Sequence, residues 1–116
     1  MQQTRRTGFD AHDLARDAAI LVLQLVRRAP PTFRALTDQT VRAVTSVPLN
    51  LAEGAGRCGR DRIHHWRIAY GSAKEVDTHL RLLAEAGAID VLRATSAMNL
   101  FDEVRAVTWR LLHPQS

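Results

Sequence analysis

The chain has one cysteine, Cys58, and one lysine, Lys74, among its 116 residues. A single thiol excludes an intrachain disulfide framework and any multi-cysteine zinc site, and it fits a reducing compartment. No long hydrophobic run exists. The longest, Ala18 to Leu23, ends at Gln24 and is far too short to cross a bilayer. The opening MQQTRRTGFD has two arginines with no apolar stretch behind them, so it does not read as a secretory signal. No phosphate-binding glycine loop and no nucleophile–base pair is legible. The expectation is a cytoplasmic protein with no membrane span, no cofactor, no metal and no catalytic residue.

The length suits one domain, and a chain of this size buries a core without staples. Hydrophobic residues are 46% of the chain, which argues against disorder. The formal net charge is +4, and the isoelectric point is near 10.5. With only one lysine, the basic side is almost all arginine. The planar guanidinium fork suits phosphate and carboxylate better than an ammonium does. This balance is compatible with nucleic-acid binding.

The spacing of apolar residues predicts four helices in one domain over 10–114, behind a loose basic arm at 1–9. Asp10 is the expected N-cap of the first, with Asp13 three residues on. Leu14, Ala18, Leu21, Val22, Leu25 and Val26 mark one helical face. Ile20 and Leu23 widen it into a second apolar face able to meet another subunit. The prolines of "APP" (29–31) stop this helix. A second helix is expected to begin between Thr32 and Thr37 and to run to about Arg57, bent at Pro48, which cannot donate to the Val44 carbonyl. "GRCGRD" supplies the next break, with Gly59 near an N-cap position. The third helix runs from about Arg60 to Glu85 with Ile63, Trp66, Ala69, Ala73, Val76, Leu80 and Leu83 in the core. Gly87 follows as the C′ residue. The fourth carries Leu92, Met98, Phe101, Val104, Val107, Leu111 and Leu112, with Thr95 or Ser96 capping its main body. Short connections make this an all-α, antiparallel up-down-up-down four-helix bundle.

If helices two and three form a hairpin turning near Cys58 and Gly59, opposed residues have numbers summing to roughly 117. Asn50 then faces Arg67 to Ala69, Ser46 faces Gly71 and Ser72, Arg42 comes near Glu75, and Gly54 lies near Ile63 and His64. The small residues Ala43, Ser46, Gly54, Ala69, Gly71 and Ser72 gather along one seam. Mid-helix glycine costs roughly 1 kcal/mol against alanine, so close backbone approach must offset it. Ser46, Asn50, Glu53, Ser72 and Glu75 are the candidates for a polar network there, which would fix register only if every member is satisfied. Glu53 and Arg57 are also spaced to pair with each other.

The segment "QTVRAVTSVPLNLAEGAGR" and the later "HHWRIAYGSAKEVDTHLRLLAEAGAI" resemble the 23S ribosomal-RNA intervening-sequence proteins. Those chains typically read Q-(x)-x-R-A-x-x-S-I-P-x-N-I-A-E-G-x-G-R, followed by an aromatic and A-x-G-S-x-x-E. Gln39, Arg42, Ala43, Ser46, Pro48, Asn50, Ala52, Glu53, Gly54, Gly56 and Arg57 match, as do Trp66, Ala69, Gly71, Ser72 and Glu75. Val47 and Leu51 replace isoleucines, Gly59 stands where a serine N-cap is common, and Asp77 replaces a glutamate. "RAPPTF" departs from the usual Phe-Pro-x-x-Glu. The resemblance implies a bundle assembled into a cyclic homo-oligomer, commonly a pentamer. One branch of the family serves the reverse transcriptase of diversity-generating retroelements and binds nucleic acid.

Up-down topology gathers Arg5, Arg6, Arg57, Arg60, Arg62, Arg67 and Arg110, with His64, His65 and His113, at one pole. Asp10, Asp13 and Asp61 are its main acids. The other pole mixes Arg27, Arg28, Arg34 and Arg93 with Asp38, Glu85, Asp90 and Asp102. The expected nucleic-acid contacts are Arg57, Arg60, Arg62 and Arg67, binding RNA or DNA phosphate with little base reading. Trp66 and Tyr70 are expected in the core or an interface. Glu75 and His79 are spaced for a metal but lack a third ligand. The alternative is an oligomeric scaffold that binds another protein through the apolar surplus of the first helix.

Overall fold

The computed structural model describes residues 8–114. Its elements are α1 (Gly8–Val26), a 3₁₀ turn at Pro31–Phe33, α2 (Arg34–Ala55), α3 (Gly59–Glu85) and α4 (Val91–Leu112). Among the described residues, α1 touches α2 and α4, α3 touches α2 and α4, and the diagonal pairs do not meet. The chain is therefore a four-helix bundle closed by α1 against α4, with no strand among the described residues.

The core follows the apolar spacing. Val22, Val44, Val47, Leu51, Val76, Leu80, Leu83, Phe101, Val104 and Val107 are fully buried. Two threonines also lie inside. Thr40 Oγ1 donates to the Leu36 carbonyl at 2.8 Å and Thr108 Oγ1 to the Val104 carbonyl at 2.7 Å, so neither hydroxyl is left unpaired. Leu92, one of the apolar residues carried by the fourth helix, is 78% exposed.

Several boundaries differ from expectation. Asp10 lies within the first turn of α1 rather than before it, because the helix already begins at Gly8. The expected arm at 1–9 thus loses its last two residues to the helix, and the rest lies outside the described residues. Cys58, with extended backbone, is the N-cap of α3, and Gly59 follows at φ 61°, a conformation that favours glycine. α4 begins at Val91 and carries Leu92 as expected, but Thr95 and Ser96 lie inside it and do not cap it. Asp90 caps it, its carboxylate accepting from the Arg93 N–H at 2.8 Å.

The other breaks are chemically plain. α2 continues through Pro48 and ends at Ala55, slightly before the expected end near Arg57. At the end of α3, Gly87 has φ 80°. The Ala88 N–H bonds the Leu83 carbonyl at 2.8 Å and the Gly87 N–H bonds the Ala84 carbonyl at 3.1 Å. That paired closure is the Schellman arrangement, and only a residue at ease with positive φ fits its turning point.

Candidate functional site

The α2–α3 hairpin carries most of the chemistry. Its tightest point is Gly54. A β-carbon there would lie 2.5 Å from the Trp66 ring and 3.1 Å from the Arg62 carbonyl. The missing side chain lets Trp66 lie against the last turn of α2, where its Nε1 donates to the Leu51 carbonyl at 3.3 Å. Arg62 closes the same corner. Its Nε donates to the Gly54 carbonyl at 3.0 Å and its Nη2 to the Ala55 carbonyl at 3.3 Å, satisfying helix-end acceptors. The guanidinium also stands 5.4 Å from the Trp66 ring centroid.

Next along the hairpin is a polar chain. His65 Nδ1 donates to Asn50 Oδ1 at 2.9 Å. Asn50 Nδ2 donates to the Ser46 carbonyl at 2.9 Å and to Ser46 Oγ at 3.1 Å. Ser72 Oγ donates to Ser46 Oγ at 2.9 Å. The chain is half-buried and ties two turns of α2 to two turns of α3.

Two expected members stand elsewhere. Glu53 is exposed and pairs with Arg57 at 3.0 Å. Glu75 is exposed and makes no hydrogen bond or ion pair among the described residues; with Arg42, Ser46 and Ser72 it lines a shallow depression of about 410 Å³. His65 joins the chain without having been expected there. The only sequence signal for it is an amide-bearing residue one hairpin level away. Gly71 also leaves the seam: it is exposed, and nothing lies within 4 Å of the point a β-carbon would occupy.

The four arginines expected to contact nucleic acid divide into two pairs. Arg57 sits between Glu53 at 3.0 Å and Asp61 at 3.1 Å. Its hydrogen bond to Glu53 foremost, then that to Asp61, raises its pKa above the ordinary arginine value. Arg57 is thus locally neutralised, and Arg62 is committed to the α2 carbonyls. Arg60 and Arg67 are exposed, and no carboxylate pairs with either among the described residues.

These two belong to a longer feature. Arg60, His64, Arg67, Gly71 and Lys74 recur at helical spacing along the outer face of α3, and all are exposed. The stripe holds no acid, and among the described residues no carboxylate holds any of its side chains. From Arg60 to Lys74 it spans about 21 Å at 1.5 Å per residue. Arg110, also exposed and without a carboxylate partner among the described residues, lies in the last turn of α4 at the same end of the bundle as Arg60. Arg5 and Arg6 lie outside the described residues.

Other candidates separate. Trp66 is buried in the core and Tyr70 is half-buried. His79 is buried while Glu75 is exposed, so they do not form one site, and no cluster of three metal-ligating residues occurs among the described residues. No described helix is long and apolar enough to cross a membrane. The second apolar face expected on α1 reduces to Ile20, which is 47% exposed, because Leu23 packs against the core.

A family model described as 23S rRNA-intervening sequence protein matches residues 9–109. Among solved structures, the fold is similar to a crystal structure of a protein of unknown function from the S23 ribosomal protein family of Bacteroides thetaiotaomicron. The two share 21% sequence identity over 90% of this chain and 96% of that one, with a TM-score of 0.82. No protein of curated function matches the chain.

Proposed function

For this chain, which belongs to the 23S rRNA-intervening sequence protein family, we propose a non-enzymatic role as a cytoplasmic, homo-oligomeric protein that binds nucleic-acid phosphates. The observation that carries this reading is the acid-free outer stripe of α3, with Arg60, Arg67 and Lys74 exposed and unpaired among the described residues. An unpaired surface cation stays hydrated and ready to exchange water and counterions for phosphate. Gly71, between Arg67 and Lys74, adds no side chain between those two cations. A pentameric ring, as the sequence resemblance implies, would repeat the stripe around one axis and raise the local field.

Fluorescence anisotropy with a structured RNA across a salt series tests the binding. The expected result is an affinity that falls steeply with salt and is lost in an Arg60→Glu/Arg67→Glu/Lys74→Glu variant of unchanged helicity. A flat salt response sinks the proposal. Light scattering tests the assembly: the expected mass is a multiple of 12.9 kDa, about five for a pentamer, and a monomer refutes the ring.

Leu49 at 64%, Ile68 and Leu82 support a second reading, because they are large apolar side chains left exposed on α2 and α3. Under it the protein is an oligomeric scaffold for another protein, with a reverse transcriptase as the partner of the retroelement type. Retained partner capture by the triple glutamate variant, together with absent RNA binding by the native chain, would favour it.

A further inference from the structure

The end of the bundle opposite the α2–α3 turn is not evenly mixed in charge. Two of the acids expected there are occupied nearby: Asp90 accepts from the Arg93 N–H as the α4 cap, and Asp102 pairs with Arg105. Between α1 and α4 lies an open groove of about 570 Å³ whose rim carries Arg27, Arg28 and Arg93. No acid lines it. The three arginines are exposed, and none of their side chains is hydrogen-bonded or ion-paired among the described residues. Gln24 and Ser96 add uncharged polar groups, and Leu25 is part of the lining.

Helix stability does not explain all three arginines: Arg27 and Arg28 follow the C-terminus of α1, where positive charge suits the helix dipole, but Arg93 has no such reason. Three of the last carbonyls of α1 already accept from the backbone: Leu23 from the Arg27 N–H, Leu25 from the Arg28 N–H and Val26 from the Ala29 N–H. Arg93 stands in the first turn of α4, where a positive charge opposes the helix dipole. Three like charges around one groove repel each other unless an anion joins them. The groove far exceeds a single water and is of the size that holds small-molecule ligands.

We propose that the α1–α4 groove is a binding site for a phosphate group, with Arg28 and Arg93 gripping it from opposite walls and Arg27 adding charge. The guanidinium fork matches two phosphate oxygens at once. This site is separate from the α3 stripe and does not rest on it. A free phosphate compound and a nucleic-acid backbone present the same chemistry to it.

Isothermal titration at constant ionic strength separates these sources. One arm uses inorganic pyrophosphate and the other a short single-stranded DNA without terminal phosphates. Both are measured on the native chain, on Arg28→Gln/Arg93→Gln and on Arg60→Gln/Arg67→Gln, after circular dichroism confirms equal helicity. The expected result is saturable binding in at least one arm that weakens about tenfold or more in Arg28→Gln/Arg93→Gln, as the loss of charged hydrogen bonds requires. It should persist in Arg60→Gln/Arg67→Gln. Pyrophosphate binding assigns the groove to free phosphate compounds, and binding of the DNA alone assigns it to the backbone. Absence of binding in both arms, or binding indifferent to Arg28→Gln/Arg93→Gln, overturns the proposal. DNA binding lost only in Arg60→Gln/Arg67→Gln, with no pyrophosphate binding, would support the α3 stripe and reject the groove.

Discussion

At the residue scale, two glycines in one hairpin have opposite consequences. Gly54 faces the Trp66 ring at a distance that no methyl tolerates, with the Arg62 backbone behind it. Gly54→Ala gains roughly 1 kcal/mol of helix propensity, but overpacking against a ring and a carbonyl costs more, typically 1–3 kcal/mol. Because the clash involves backbone as well as side chain, the expected net loss is about 1–2 kcal/mol, read as a lower midpoint in urea unfolding. Gly71→Ala meets open space and should raise stability by about 0.5–1 kcal/mol. Equal effects at both sites would refute the close approach. Hairpin counting places both glycines in the seam and is right about only one. Counting along a hairpin fixes height on the helix axis but not the angle around it. Neighbours such as Gly71 and Ser72 are about 100° apart on the helix, so one bonds Ser46 while the other faces outward. The same gap puts Glu75 among partners it does not reach, and it hides His65.

At the scale of elements, the core stripes are legible and the helix ends are not. Periodicity detects buried positions, and Ala94, Ala97 and Phe101 are buried while Val91 and Leu92 are exposed. The first turn of α4 therefore turns only the small Ala94 inward, and its cap reads too late. What sets that start is one carboxylate, Asp90, on the Arg93 N–H. Asp90→Ala should cost about 1 kcal/mol, the usual loss for an N-cap. Ser96→Ala should change stability by less than about 0.5 kcal/mol, since an exposed mid-helix site carries no cap. Thermal unfolding of the two variants checks this, and a larger loss at Ser96 would move the cap back to where periodicity puts it. Gly87 is legible for the converse reason: a glycine after a long apolar stripe has few other uses than a positive-φ turn.

For the whole molecule, formal charges summed by pole give a misleading asymmetry, because a sum ignores which charges are already engaged. Arg57 is held by Glu53 and Asp61, and Arg62 by two carbonyls. Arg60, Arg67 and Lys74 have no such partners among the described residues, and neither do the arginines of the α1–α4 groove. Pairing depends on rotamers and helix phase, which composition does not carry. The distinction makes a graded prediction. Each phosphate contact adds about 0.7–0.9 to the slope of log affinity against log salt. If the α3 stripe binds nucleic acid, neutralising Arg60, Arg67 and Lys74 to glutamine should reduce the slope by about two to three. Arg57→Gln should leave the slope nearly unchanged, since its charge is already compensated. Arg62→Gln should also spare the slope but destabilise the fold by about 1 kcal/mol or more, because the Ala55 carbonyl loses its side-chain donor and the Gly54 carbonyl keeps only the Arg57 N–H. Anisotropy titrations at several salt concentrations measure the first quantity and urea unfolding the second. A slope that responds equally to all five substitutions would mean that free and engaged cations contribute alike, and the stripe would lose its claim to be the binding surface.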